Sequence, residues 1–147
     1  QAAAEDHGSD GSEEQEVTDP NAVRAGAPDD RRSGAREDFM AHRTHPGSIL
    51  EGWVWKRSRF LRRWRRRWLV LMPQTLHSFK SRTNTSPTEV VMQGTVTRVY
   101  SSDAEVLQSR SFAVALARRT YYMVCDDEKQ KEAWIKEISA ALVGRRR

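Results

Sequence analysis

Between residues 49 and 143 the chain sets out seven short segments of strand character and then one stretch of helical periodicity, and this order restricts the fold more than any other feature. Residues 49–57 mix apolar and polar side chains around Trp53, Val54 and Trp55. Residues 68–72 are an apolar run of strand length, and residues 76–80 follow a turn at Pro73-Gln74. Residues 89–93 and 95–100 are β-branched and flank Gly94, which suits a turn or bulge. Residues 111–117 and 120–125 are a pair separated by Arg118-Arg119. Seven strands at this spacing predict an all-β barrel or sandwich. The last segment changes period. Trp134, Ile138, Ala141 and Leu142 form one helical stripe with Ile135 beside it, and Glu128, Lys129, Lys131, Glu132, Lys136 and Glu137 cover the other face. Asp127 and Gln130 have the spacing of a capping box, and Gly144 suits the position after a helix end. A helix over about 127–143 that plugs an open end of the barrel is therefore expected. Trp134, Ile138, Leu142, Leu69, Leu71 and Phe112 should be buried, with Trp134 as a packing anchor.

Charge divides the chain unevenly. Residues 1–48 carry five Arg against eleven Asp or Glu, a net −6, and residues 49–147 carry twenty Lys or Arg against nine acidic residues, a net +11. A domain this basic points to an anionic partner, membrane or nucleic acid. Residues 1–38 hold almost no large apolar side chains, Val17 and Val23 standing alone, so they read as a disordered acidic tail. The −6 charge of residues 1–48 could also compete for the basic face of the domain as an electrostatic lid, in which case deleting the tail raises affinity for acidic surfaces, most at low salt. Residues 39–47, opening on Phe39-Met40, read as a linker or short helix, 48–144 as the folded domain, and 145–147 as a basic terminus. The single cysteine, Cys125, excludes an intrachain disulfide and fits a buried thiol in a reducing compartment. No apolar stretch approaches the ~18 residues of a membrane span, and no secretory signal is visible. The first residue is Gln, so an N-terminal lipidation signal is not readable.

Three blocks carry a family resemblance. Glu51-Gly52-Trp53-Val54-Trp55-Lys56 resembles the first strand of pleckstrin-homology (PH) domains, and Trp64-Arg65-Arg66-Arg67-Trp68-Leu69-Val70-Leu71 their second. Thr120-Tyr121-Tyr122-Met123-Val124-Cys125, followed by Asp127 and Trp134, is similar to their last strand and helix. The resemblance implies a mainly β fold, a seven-stranded barrel or sandwich capped by one C-terminal α-helix. It also implies a phosphate site at Lys56 and Arg65-x-Arg67. Side chains alternate along a strand, so Arg65 and Arg67 share a side and the hairpin brings Lys56 beside them. Arg offers a forked pair of donors and Lys a point charge. Two family positions differ: His77-Ser78 stands where a Tyr is common, and Thr88 where an Arg is. Both departures weigh against a highly phosphorylated inositol headgroup. The hairpin Ser58-Arg59-Phe60-Leu61-Arg62-Arg63-Trp64 and the stretch Ser86-Pro87-Thr88-Glu89-Val90 are further similar to the acylated PH-domain proteins of apicomplexan parasites. That narrower resemblance implies an acyl anchor and recognition of phosphatidic acid on the cytosolic face of micronemes.

Residues 56–67 hold eight Lys or Arg, interleaved with Phe60, Leu61 and Trp64. Mutual repulsion among these cations favours a nearby anion. At an acidic leaflet each contributes at most about 1 kcal/mol, and apolar insertion adds about 25 cal/mol per Å² buried. The expected lipid-phosphate ligands are Lys56, Arg57, Arg63, Arg65 and Arg67; the expected inserting residues are Phe60, Leu61 and Trp64. The expected partner is a membrane bearing phosphatidic acid or a phosphoinositide, bound by a monomer at a cytosolic surface. Alternatives are a solvated charged loop, stacking on nucleic acid, and protein binding with incidental lipid contact; nucleic acid fits the fold least. His7, His42, His45 and His77 are scattered and show no nucleophile–base or metal-ligand spacing, so neither catalysis nor a metal or other cofactor is expected.

Overall fold

Residues 14–22 and 43–143 are described by a computed structural model. Strands are β1 (Glu16–Val17), β2 (Leu50–Arg57), β3 (Trp64–Leu71), β4 (Thr75–Phe79), β5 (Glu89–Met92), β6 (Val96–Ser101), β7 (Ser111–Leu116) and β8 (Thr120–Val124). A short helix α1 (Asp103–Val106) joins β6 to β7, and α2 (Glu128–Ile138) continues into a π-helical turn, Ser139–Val143. β2 to β8 are the seven expected strands. All pairings are antiparallel, in the order β5-β4-β3-β2-β8-β7-β6. The sheet is not closed: β5 and β6, joined through the 3₁₀ turn Gln93–Thr95 around Gly94, remain at the two ends of the path.

The period-two pattern sorts the side chains of this sheet. Val54, Leu69, Leu71, Leu76, Val96, Phe112, Val114 and Met123 form the main core together with Trp134, Ile138 and Leu142 of the C-terminal helix. The six residues expected to be buried are each at most 1% exposed. Trp134 stacks on Phe112 with ring centroids 6.3 Å apart, so the helix plugs the sheet through its aromatic anchor. Asp127 caps α2, its carboxylate accepting from the Gln130 amide at 2.8 Å. Cys125 is buried, and burial pushes its thiol well up, which keeps it protonated. β3 starts at Trp64, four residues before the apolar run that first marks it, because its charged first half pairs with β2 as fully as its apolar second half does.

Of two described stretches before β2, one departs from expectation. Residues 14–22 belong to the segment read as lacking structure, yet β1 pairs with β3 (Glu16 opposite Arg65, Val17 opposite Trp64). β4 pairs only with Trp68–Leu71, which leaves the first half of that β3 edge for β1. The gain that composition did not reveal is the packing of Val17 against the Trp55, Trp64 and Val124 cluster and the burial of Pro20, reinforced by ion pairs. The rest of that tail, and Phe39-Met40, lie outside the described residues. Residues 43–48 form turns. They are clipped by Glu51, whose carboxylate accepts from Ser48 Oγ (2.7 Å), Thr44 Oγ1 (2.8 Å), His45 N (2.8 Å), Thr44 N (3.0 Å) and Trp68 Nε1 (2.9 Å). Burial pushes the Glu51 pKa up, but the hydrogen bonds from Ser48, Thr44 and His45 more than reverse this and bring it down to about 2.

Candidate anion-binding mouth

The hairpin β2–β3 sets the site by its register. Lys56 faces Arg65 across the strands, and Arg65 and Arg67 share one side while Trp64, Arg66 and Trp68 take the other. The loop is tied by Ser58 N donating to Arg63 O (2.7 Å) and Arg63 N donating to Ser58 Oγ (3.0 Å). Arg62, at φ 56°, takes the left-handed conformation that turns the chain. The tip is left with Phe60 85% and Leu61 68% exposed. Beneath it opens a cavity of about 350 Å³, with Lys56, Arg57, Arg59, Arg65, Arg67 and Arg119 as its cations, Phe60 and Leu61 at its edge, and Thr88 and Glu89 on the facing wall.

One carboxylate of the chain, Glu89, lines this mouth, and two more, Glu14 and Glu16, meet its arginines from outside the lining. Glu89 forms a hydrogen-bonded ion pair with Lys56, meets Arg119 Nη1 at 2.7 Å and accepts from the Tyr121 hydroxyl at 2.9 Å. Burial pushes Glu89 up, but Lys56 first and then Tyr121 and Arg119 hold it below the usual carboxylate range. Burial lowers Lys56 in spite of Glu89, and lowers Arg67 in spite of Glu14. From β1 and the residue before it, Glu14 meets Arg67 Nη2 at 3.1 Å and Arg65 Nε at 3.5 Å, and Glu16 meets Arg65 Nε at 3.3 Å and Arg63 Nη2 at 3.8 Å.

Lys56, Arg57, Arg65 and Arg67, expected from the sequence, thus line one cavity, and Arg63 stands beside it through its contact with Glu16. Lys56 and Arg67 do not project freely from the hairpin, as the sequence suggested; their side chains are 12% and 7% exposed and form the cavity wall. Arg57 also stacks over Trp64 and Tyr122. Trp64 is not an inserting residue. It is 3% exposed, because period two turns it to the outer face of the sheet against Trp55 and Val17. Arg66, on that same face, makes a two-pronged pair with Asp126 at 2.9 and 3.1 Å. Sequence reasoning missed Glu89, Arg119 and Tyr121, although the Arg118-Arg119 turn was visible, and it pointed to the acidic tail as a lid without singling out Glu14 and Glu16, whose acidic-x-acidic-apolar pattern is that of a strand with one charged face. No cluster of three His, Cys, Asp or Glu able to hold a metal occurs among the described residues, and none of their helices is long and apolar enough to cross a membrane.

An open antiparallel sheet plugged by one C-terminal helix, with a basic hairpin mouth at its other end, defines a class of small β modules. The chain belongs to the PH domain family, whose family model matches residues 48–143. It is 28% identical over 114 residues to Pleckstrin homology domain-containing protein 1 of Arabidopsis thaliana, covering 74% of this chain and 79% of that one. It is 32% identical over 99 residues to Differentially expressed in FDCP 6 of Mus musculus, covering 64% of this chain but only 15% of that protein. Among solved structures, the Slm1 PH domain in complex with phosphoserine superposes with a TM-score of 0.56 at 20% identity, over 66% of this chain and 97% of that one. The C-terminal PH domain of pleckstrin in complex with D-myo-Ins(1,2,3,4,5)P5 does so with a TM-score of 0.55 at 22% identity, over 64% and 97%. At these identities the superpositions show the shared fold. Neither of these two relatives is an apicomplexan protein, and the narrower resemblance rests on the hairpin and residues 86–90 alone.

Proposed function

We propose that this domain docks on a membrane by seating the phosphate of an anionic lipid, phosphatidic acid before others, in the mouth of the β2–β3 hairpin. The carrying observation is the juxtaposition of a cavity walled by six cations with two exposed apolar side chains, Phe60 and Leu61, at its edge. Cations hold the phosphate while the tip enters the boundary between headgroups and acyl chains. Phosphatidic acid carries a phosphomonoester close to that boundary, so a ligand group reaching it must come very near the membrane plane. The interior of the cavity favours a small headgroup. Glu89 engages Lys56, Arg119 and Tyr121 on the far wall, so one phosphate would draw on Arg59 together with Arg65 and Arg67, which also meet Glu14 and Glu16. A ring bearing several phosphates would have to compete with Glu89. The inositol phosphate held by the related pleckstrin domain favours a phosphoinositide as the second reading.

Co-sedimentation with vesicles of matched surface charge, containing phosphatidic acid, phosphatidylserine or a phosphoinositide, tests the proposal. Phosphatidic acid vesicles should retain the most protein. Arg59→Ala with Arg65→Ala should abolish retention with the fold intact, since neither residue belongs to the core. Leu61→Ala should weaken it up to about tenfold, the value of a mostly buried Leu side chain. Equal retention by phosphatidic acid and phosphatidylserine would reduce the mouth to a nonselective basic patch, and no retention by any of the three would end the lipid reading.

A further inference from the structure

β1 fills the one part of the β3 edge that β4 leaves open, and its two faces meet different surroundings. Glu14 and Glu16 turn toward the mouth, onto Arg67, Arg65 and Arg63. Val17 turns to the opposite face of the sheet, onto the Trp55–Trp64–Val124 patch. Between them the Gln15 carbonyl accepts from the Arg66 amide at 3.2 Å. Further along, a turn held by Asn21 N donating to Asp19 Oδ1 (3.1 Å) brings Asn21 to Gln108, whose side-chain oxygen accepts from Asn21 Nδ2 at 2.8 Å, while Arg110 donates to Asn21 Oδ1. The segment therefore straddles the hairpin, anchored on both sides of it.

We infer that residues 14–22 are a built-in competitor of the anionic ligand: the Glu14 and Glu16 carboxylates stand where phosphate oxygens would be recognised, and a lipid headgroup must displace β1 to reach Arg63, Arg65 and Arg67. This inference rests on the lipid reading above and adds its regulation. The contact has the character of a reversible clasp. The strand is two residues long, the segment's buried or half-buried apolar residues are only Val17 and Pro20, and both glutamate side chains are 32% exposed, where ion pairs are weak and salt-sensitive. Being part of the same chain, it nonetheless acts at a high effective concentration, on the order of millimolar for a short tether and lower for a longer one. A phosphomonoester brings more charge and more acceptor oxygens than one carboxylate, so a membrane rich in it can win the exchange. Displacement also uncovers the Trp55–Trp64 patch that Val17 covers.

The test compares three proteins on phosphatidylcholine vesicles containing phosphatidic acid: the unaltered chain, Glu14→Gln with Glu16→Gln, and Glu132→Gln with Glu137→Gln. The last pair lies on α2, outside the mouth, and changes the net charge equally. Loss of the clasp should raise affinity about tenfold, the sum of a few exposed ion pairs, while the α2 pair leaves affinity near that of the unaltered chain. Hydrogen exchange at the Arg66 amide, which donates to Gln15, should rise when the unaltered protein meets these vesicles. Equal affinity of the unaltered and Glu14→Gln/Glu16→Gln proteins, an equal gain in both double variants, or unchanged Arg66 exchange would each overturn the competitor while leaving lipid binding standing. Failure of all three proteins to bind would overturn the lipid reading and the competitor with it.

Discussion

Glu51 and Glu89 are carboxylates on opposite faces of one sheet, and their partners give them different uses. Glu89 sits among cations in the mouth, paired with Lys56 and Arg119. Glu51 is 1% exposed and receives neutral donors from the Thr44–Ser48 turn and from Trp68, so it serves as a structural clip. Its pKa falls from the ordinary 4.5 to about 2 on folding. A carboxylate depressed in the folded state stabilises it above the unfolded pKa, and that contribution is lost as pH drops through the folded one. A shift of this size corresponds to roughly 3 kcal/mol. Urea midpoints measured downward from about pH 5 should therefore fall steeply in the unaltered protein, with the decline centred between those two pKa values. Glu51→Gln removes the charge but keeps the shape, and sets an amide nitrogen against several donors. It should cost about 2–3 kcal/mol at neutral pH and flatten the acid limb. The same acid dependence in both proteins would refute the assignment.

At the level of elements, what could be read in advance was whatever has a period. The stripe Trp134–Ile138–Leu142 announced α2, and the alternation of Arg65 and Arg67 against Trp64, Arg66 and Trp68 announced which cations converge. Trp64 was misjudged because its neighbours in sequence are arginines, whereas its neighbours in space are Trp55, Val124 and Val17. β1 was illegible for a related reason: a two-residue strand has no period, and its charged partners lie 49 and 53 positions away in the chain. Glu89 and Arg119 could not be joined to the mouth without the path that carries β5 and the β7–β8 turn toward the same hairpin. The Asp127 cap of α2 is local and was legible, although the reciprocal bond of a capping box, from the Gln130 side chain, does not appear among its hydrogen bonds. Asp127→Ala leaves the Gln130 amide without its acceptor and should cost about 1 kcal/mol by chemical denaturation, while Asp127→Ser should cost only a few tenths. Equal losses in the two variants would mean that the carboxylate acts through charge at the helix terminus rather than as a cap.

For the molecule as a whole, membrane association combines a charge term that salt screens and an apolar term that it does not. At physiological ionic strength the screening length is about 8 Å, so exposed arginines lose much of their pull as salt rises. The clasp alters this dependence. In the unaltered chain Arg63, Arg65 and Arg67 leave Glu14 and Glu16 in order to meet phosphate, exchanging one set of ion pairs for another. Salt weakens both sets, and the two effects partly cancel. With Glu14→Gln and Glu16→Gln nothing opposes the lipid, and the full electrostatic dependence is exposed. A plot of log affinity against log salt for phosphatidic acid vesicles should accordingly be steeper for that variant than for the unaltered protein, with its advantage largest at low salt. Leu61→Ala should shift the unaltered line down by a constant factor without changing its slope, because Leu61 acts through burial alone. Parallel lines for the glutamate variant and the unaltered chain would show that Glu14 and Glu16 do not face the arginines when the membrane arrives.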